Sequence, residues 1–85
     1  MAFTLEFSEE SVVQMQRMEK IVVKRIIKKL DSTLPTPHSF FKRLEGRPEY
    51  KLRVGDYRII ANIDEKSHVV VIRSIGHRRD IYKRH

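Results

Sequence analysis

Eighty-five residues, 40% of them hydrophobic, are enough for one thin core and exclude a multidomain enzyme. With no cysteine, both a disulfide framework and a Cys-based metal centre are excluded. Lysine and arginine outnumber acids 18 to 11, and the excess is uneven: residues 1–39 hold six basic and five acidic side chains, residues 40–85 twelve and six. A cationic half of this kind raises the local anion concentration and points to a polyanionic partner.

Ala2-Phe3-Thr4-Leu5-Glu6-Phe7 alternates apolar and polar, the period of a half-buried strand. Ser8 follows as a helix N-cap with Glu9 and Glu10 in the first turn, and Phe7 and Val12 stand at hydrophobic-staple positions. From Glu9 to about Leu34 the pattern is helical, with one apolar stripe at Val12, Met15 and Met18 and a stronger one at Val23, Ile26, Ile27, Leu30 and Leu34. No Gly or Pro shows whether this is one long helix or a hairpin broken near Glu19-Lys20, although a small sheet favours the hairpin, which folds back over one face. Pro35 and Pro37 end the helix. Phe40-Phe41-Lys42-Arg43-Leu44-Glu45-Gly46 reads as a connector whose aromatics plug the core edge. Strands are predicted at Tyr50–Val54, Tyr57–Ile63 and Val69–Ile75, joined by a Gly55-Asp56 turn and a turn over Asp64–Ser67, and a basic tail follows from Gly76. There is no bilayer-spanning run and no signal-peptide pattern, so one cytoplasmic domain over 1–85, with no membrane association, is expected.

Around Gly55-Asp56, Val54 faces Tyr57, Leu52 faces Ile59 and Tyr50 faces Ala61, all on one side of the sheet. Lys51, Arg53, Arg58 and Ile60 take the other side, with Arg53 directly opposite Arg58. The second turn pairs Ile63 with His68, Ile59 with Ile72 and Arg58 with Arg73. Val70 and Ile72 then join the apolar face under the helices, and Arg73 joins the basic one. A row of like charges across paired strands is destabilising, and no acid within these strands shares the face, so an anion is its natural counterpart. His77-Arg78-Arg79-Asp80-Ile81-Tyr82 is expected to bring an imidazole, two guanidiniums and a phenol beside this patch.

Phe7-Ser8-Glu9-Glu10, Leu44-x-Gly46, Tyr50-Lys51-Leu52-Arg53, Gly55-Asp56-Tyr57-Arg58-Ile59-Ile60 and Ile75-Gly76-His77-Arg78-Arg79-Asp80-Ile81-Tyr82 together resemble the RelE toxins of bacterial and archaeal toxin–antitoxin modules. The resemblance runs nearly end to end. It implies an α+β fold: an N-terminal strand, a helical hairpin, then an antiparallel sheet with the helices packed on one face. It also implies a ribosome-dependent endonuclease that cuts mRNA in the A site, and a cognate RelB-like antitoxin that covers the basic face. Carried over by position, the functional residues are Lys51, Arg53, Arg58, Arg78 and Tyr82. Lysine often stands where this chain has Arg53, and His77 replaces a different basic residue. The related ParE branch shares the fold but poisons DNA gyrase and lacks this set.

RNA cleavage needs an activated 2′-hydroxyl, a stabilised phosphorane and a protonated leaving oxygen. Arg53, Arg58 and Arg73 suit the charge, and Tyr82 suits stacking on a splayed base. His77 is a candidate proton carrier, because imidazole titrates nearest neutrality; Lys51 is the alternative base, and Arg78 an electrostatic aid. Lys42, Arg43, Arg73, Arg79 and Lys83 complete the expected RNA-binding set. No cofactor is called for, and no metal either, since Asp56, Asp64 and Asp80 are scattered through turns and tail. A gyrase-binding toxin, a non-catalytic RNA-binding module of this fold and an adaptor that docks an acidic peptide stay open.

Overall fold

In the computed structural model, which describes residues 2–77, the chain runs β1 (Thr4–Phe7), α1 (Glu9–Gln16), α2 (Lys20–Thr33), a 3₁₀ turn (Pro37–Ser39), β2 (Lys42–Arg43), β3 (Tyr50–Val54), β4 (Tyr57–Asp64) and β5 (Val69–His77). The α+β class and the expected order of elements hold. Ser8 caps α1, its hydroxyl accepting the Ser11 N–H and its carbonyl the Val12 N–H. Val12, placed by the sequence in a staple with Phe7, is 39% exposed. The helical stretch is two helices, separated by Arg17–Glu19, with Glu19 in an extended conformation at ψ 142°. Met15 and Met18 both pack on the core, and the break between the helices frees α2 to lay Ile26 and Leu30 over the sheet.

The five strands lie in the order β1-β5-β4-β3-β2. The β3–β4 hairpin has the predicted register, with Arg53 opposite Arg58 and Leu52 opposite Ile59. Gly55 opens its two-residue turn at φ +58°, a left-handed conformation that a residue with a Cβ rarely adopts. β1 runs parallel to β5, pairing Leu5 with Val70, so the sheet is mixed and not wholly antiparallel. β2, inside the expected connector, adds a short fifth strand and sets Lys42 against Lys51.

The β4–β5 register corrects the sequence reading. The Asp64 carboxylate accepts the N–H groups of Lys66 and Ser67, and His68 takes a positive φ of 55°. The turn is therefore Glu65–His68, one residue later than predicted, and Asp64 pairs with Val69. Ala61 then faces Ile72 and Ile63 faces Val70. Relative to the predicted pairs this is a slip of two residues, which keeps every side chain on its face because strand side chains alternate. A bulge opposite Ile60/Ala61 inserts Arg73 as an extra residue, after which Ile59 faces Ile75 and Arg58 faces Gly76.

Ile26 and Leu30 of α2 close over Leu52, Val54, Ile59, Ala61, Val70, Ile72 and Ile75, all on one sheet face. Each valine, leucine or isoleucine among them, once buried, contributes roughly 1.5–3 kcal/mol. Phe41 plugs the edge at 2% exposure, as its sequence context predicts. Beyond β1, the outer edge of β5 is sealed by α1 and its cap. Ser8 donates its N–H to the Ile72 carbonyl (2.8 Å) and its hydroxyl to the Arg73 carbonyl (2.9 Å), while the Gln14 side-chain carbonyl accepts the Ile75 N–H at 2.6 Å. The outer edge of β3 is treated differently: β2 pairs only with Tyr50 and Lys51.

Candidate nucleic-acid interface

Alternation along β3 sends Leu52 and Val54 into the core and turns Lys51 and Arg53 to the face away from the helices. Arg58 on β4 joins them through its pairing with Arg53. Arg53 is exposed and folds back on the hairpin, its Nε donating to the Gly55 carbonyl at 3.1 Å, which fixes the direction of the guanidinium. Arg58 is half-buried. Its cross-strand neighbour on the other side is Gly76, which has no side chain to crowd or repel it. The bulge thus removes one of the two like-charge pairings the sequence implied.

A cleft of about 370 Å³ opens beside this row. Lys51, Arg53 and Arg58 line it from the outer face, Leu52 from the core side, and Lys29, Ser39, Phe40 and Lys42 from α2 and the connector. Because residues from both faces of β3 contribute, the cleft straddles the strand edge beyond its pairing with β2. Among the described residues, five that line it are cationic and none is acidic. The Lys29 ammonium lies 4.8 Å from the Phe40 ring centroid, a cation–π contact.

The other sequence-predicted residues separate. Lys42 lines the cleft, but Arg43 lies over the Tyr50 ring at 5.8 Å and faces a shallow surface formed by residues 43–48. Arg73, expected opposite Arg58, is exposed at the bulge, and its carbonyl serves the Ser8 cap. His77, expected beside the arginines, pairs with Tyr57 and packs edge-on against it at 5.7 Å and 76°, on the side of the sheet that carries Ile59. Arg78, Arg79, Tyr82 and Lys83 lie outside the described residues. Among the described residues no group of three or more His, Asp or Glu could hold a metal ion, and no helix is long and apolar enough to cross a membrane. The sequence reading missed Lys29 and Phe40. Lys29 stands three residues after Ile26 and one before Leu30, on the flank of the buried stripe, and that position was the available signal.

Fold and site together define a small α+β protein that keeps its helices on one sheet face and offers a cationic surface on the other. The family model described as "ParE toxin of type II toxin-antitoxin system, parDE" matches residues 5–82. The mRNA interferase toxin RelE of Escherichia coli is 30% identical over 81 residues, covering 92% of this chain and 85% of that protein. The intact E. coli RelBE toxin–antitoxin complex superposes with a TM-score of 0.77 at 26% identity, covering 89% of this chain and 96% of the other. The archaeal RelE–RelB complex from Pyrococcus horikoshii gives 0.76 at 26% identity, with coverages of 92% and 97%. The chain belongs to the RelE/ParE superfamily of toxins of type II toxin–antitoxin systems.

Proposed function

We propose that this toxin is a ribosome-dependent, metal-independent endoribonuclease that cuts mRNA in the A site, stops translation in the cytoplasm, and is held inactive by a cognate RelB-like antitoxin. The observation that carries the reading is the gathering of Lys51, Arg53 and Arg58 on the sheet face away from the helices. Attack of a 2′-hydroxyl on the adjacent phosphate builds negative charge on the phosphorane. Guanidinium forks already fixed at that point stabilise it without reorganising. Arg58 is half-buried on β4, and the Arg53 guanidinium is held by its hydrogen bond to the Gly55 carbonyl. Lys51 is the candidate base within the cluster, since His77 packs with Tyr57 on the other side of the sheet. Family resemblance makes Arg78 and Tyr82 functional, and their chemistry suits added charge and stacking on a splayed base.

The relatives named mRNA interferase and the solved RelE–RelB complexes support this reading. For the antitoxin, the helices leave Val12, Val13, Ile21 and Ile27 exposed, Ile21 at 70%. A partner covering both this apolar surface and the arginines would slow hydrogen exchange across Lys51–Arg58, and its complex would weaken with salt. A complex that leaves exchange there unchanged contradicts direct occlusion.

The matching ParE family model favours gyrase poisoning as a second reading. Induced expression separates the two. The proposal expects growth arrest with new mRNA 5′ ends confined to translated frames; intact mRNA with damaged DNA overturns it in favour of gyrase.

A further inference from the structure

We propose that the cleft at the open edge of β3 is a nucleotide subsite of single-stranded RNA, in which Phe40 receives a base and Lys29 with Lys42 receives the phosphate attached to it. This rests on the RNA-cleavage reading and extends it to residues outside the proposed catalytic cluster. Two kinds of surface meet in the cleft. The half-buried Phe40 ring is apolar and suits the face of a base, whereas Lys29, Lys42 and Lys51 place ammonium groups around it and Ser39 adds a hydroxyl. An aromatic platform inside a cationic groove is how proteins hold single-stranded nucleic acid. The cleft volume of about 370 Å³ falls within the range of small-molecule sites, about 300–1,000 Å³.

Position gives the subsite its place on the RNA. The cleft is continuous with Lys51, Arg53 and Arg58, so a strand whose reacting phosphate lies on those groups continues over the β3 edge toward α2, and a nucleotide flanking the cut reaches Phe40. The Lys29 ammonium lies over the ring, 4.8 Å from its centroid, so a base that stacks on that face displaces it toward the attached phosphate. Phe40 is thus assigned to binding and orientation of a flanking nucleotide, and Lys29 to one phosphate contact.

The test is binding of a short, uncleavable 2′-O-methyl oligoribonucleotide at low ionic strength, followed by NMR and by fluorescence anisotropy. The same oligomer carrying one abasic position at a time serves as the second probe. Wild-type protein should lose about tenfold in affinity when the stacked base is missing. Phe40→Leu should bind the intact oligomer more weakly and show no such abasic penalty. Lys29→Gln should flatten the salt dependence by about one phosphate contact. Should Phe40→Leu lose its native circular dichroism, the Lys29→Gln salt slope decides alone. If both variants match wild type while Arg58→Ala weakens binding, the subsite is wrong and the RNA reading stands. If wild-type protein shows no binding even at millimolar RNA, the subsite is wrong, and the ribosome-dependent cleavage reading is judged separately by the mapping of mRNA 5′ ends.

Discussion

Past Phe7, the outer edge of β5 is closed by α1: Ser8 serves the carbonyls of Ile72 and Arg73, and Gln14 serves the Ile75 N–H. Past Lys51, no strand among the described residues pairs with the outer edge of β3, and five of the residues around it are lysines and arginines. An uncovered strand edge is a template for unwanted pairing, which proteins suppress by covering it or by charging it. This sheet uses one device on each side. The contrast teaches where function can sit: the covered edge spends its polar groups on internal hydrogen bonds, whereas the charged edge gathers cationic side chains that suit an external anion.

The largest effect is expected at the open side. Arg58→Ala should cut mRNA cleavage by on the order of 100-fold or more, the usual loss when a fixed donor to a transition-state charge is removed. Its circular dichroism should be unchanged, because Arg58 lies on the face away from the helical core. An unfolded or fully active variant breaks the contrast. Next comes the closed side. Gln14→Leu removes the acceptor of the Ile75 N–H and should cost about 1–3 kcal/mol in urea unfolding, with cleavage per folded molecule unaffected. Unaltered unfolding would mean that α1 does not seal the edge.

A smaller effect separates the two sides by ligand. Sulfate binds only the native cationic cluster and should raise the melting temperature, compared with chloride at matched ionic strength, by roughly 4–8 °C for each ~1 kcal/mol gained. Gln14→Leu should keep that increment and Arg58→Ala should lose most of it. No difference between the salts would show that the arginines splay independently.

The smallest effect lies in the β4–β5 turn, remote from both edges. The Asp64 carboxyl is held below its ordinary value, 3.8, first by a hydrogen bond from the Ser67 side chain and then by backbone N–H groups. A depressed folded-state value means that the ionised carboxylate stabilises the fold above about pH 4, and that this is lost as pH falls through the lowered value. The melting-temperature gap between wild type and Asp64→Asn should therefore be small at neutral pH and vanish in acid. A gap that widens in acid contradicts this.

The parts of the fold that local chemistry dictates were legible. Gly55-Asp56 permits a two-residue turn, so the β3–β4 register and the Arg53–Arg58 pair followed from counting. Ser8 with Glu9 and Glu10 marked the start of α1. The β4–β5 register was not legible, because its four-residue turn depends on the Asp64 side chain and the bulge at Arg73 has no local signature. The parallel pairing of β1 is a long-range choice between residues more than sixty positions apart. Within the candidate site, alternation placed Lys51, Arg53 and Arg58 together, since a period of two survives modest errors in strand length. Lys29 and Phe40 reach the same cleft from a helix and a connector, and only tertiary packing brings them there. His77 was misplaced because β5 continues two residues past the predicted strand end and carries the ring to Tyr57.

Whether the open face cuts RNA is decided by purified protein acting on mRNA held in programmed ribosomes, with naked mRNA alongside and 5′ ends read by primer extension. Wild type should cut within the A-site codon only when ribosomes are present, and Arg58→Ala should leave that codon intact. Equal cutting of naked mRNA, or undiminished cutting by Arg58→Ala, would contradict the assignment.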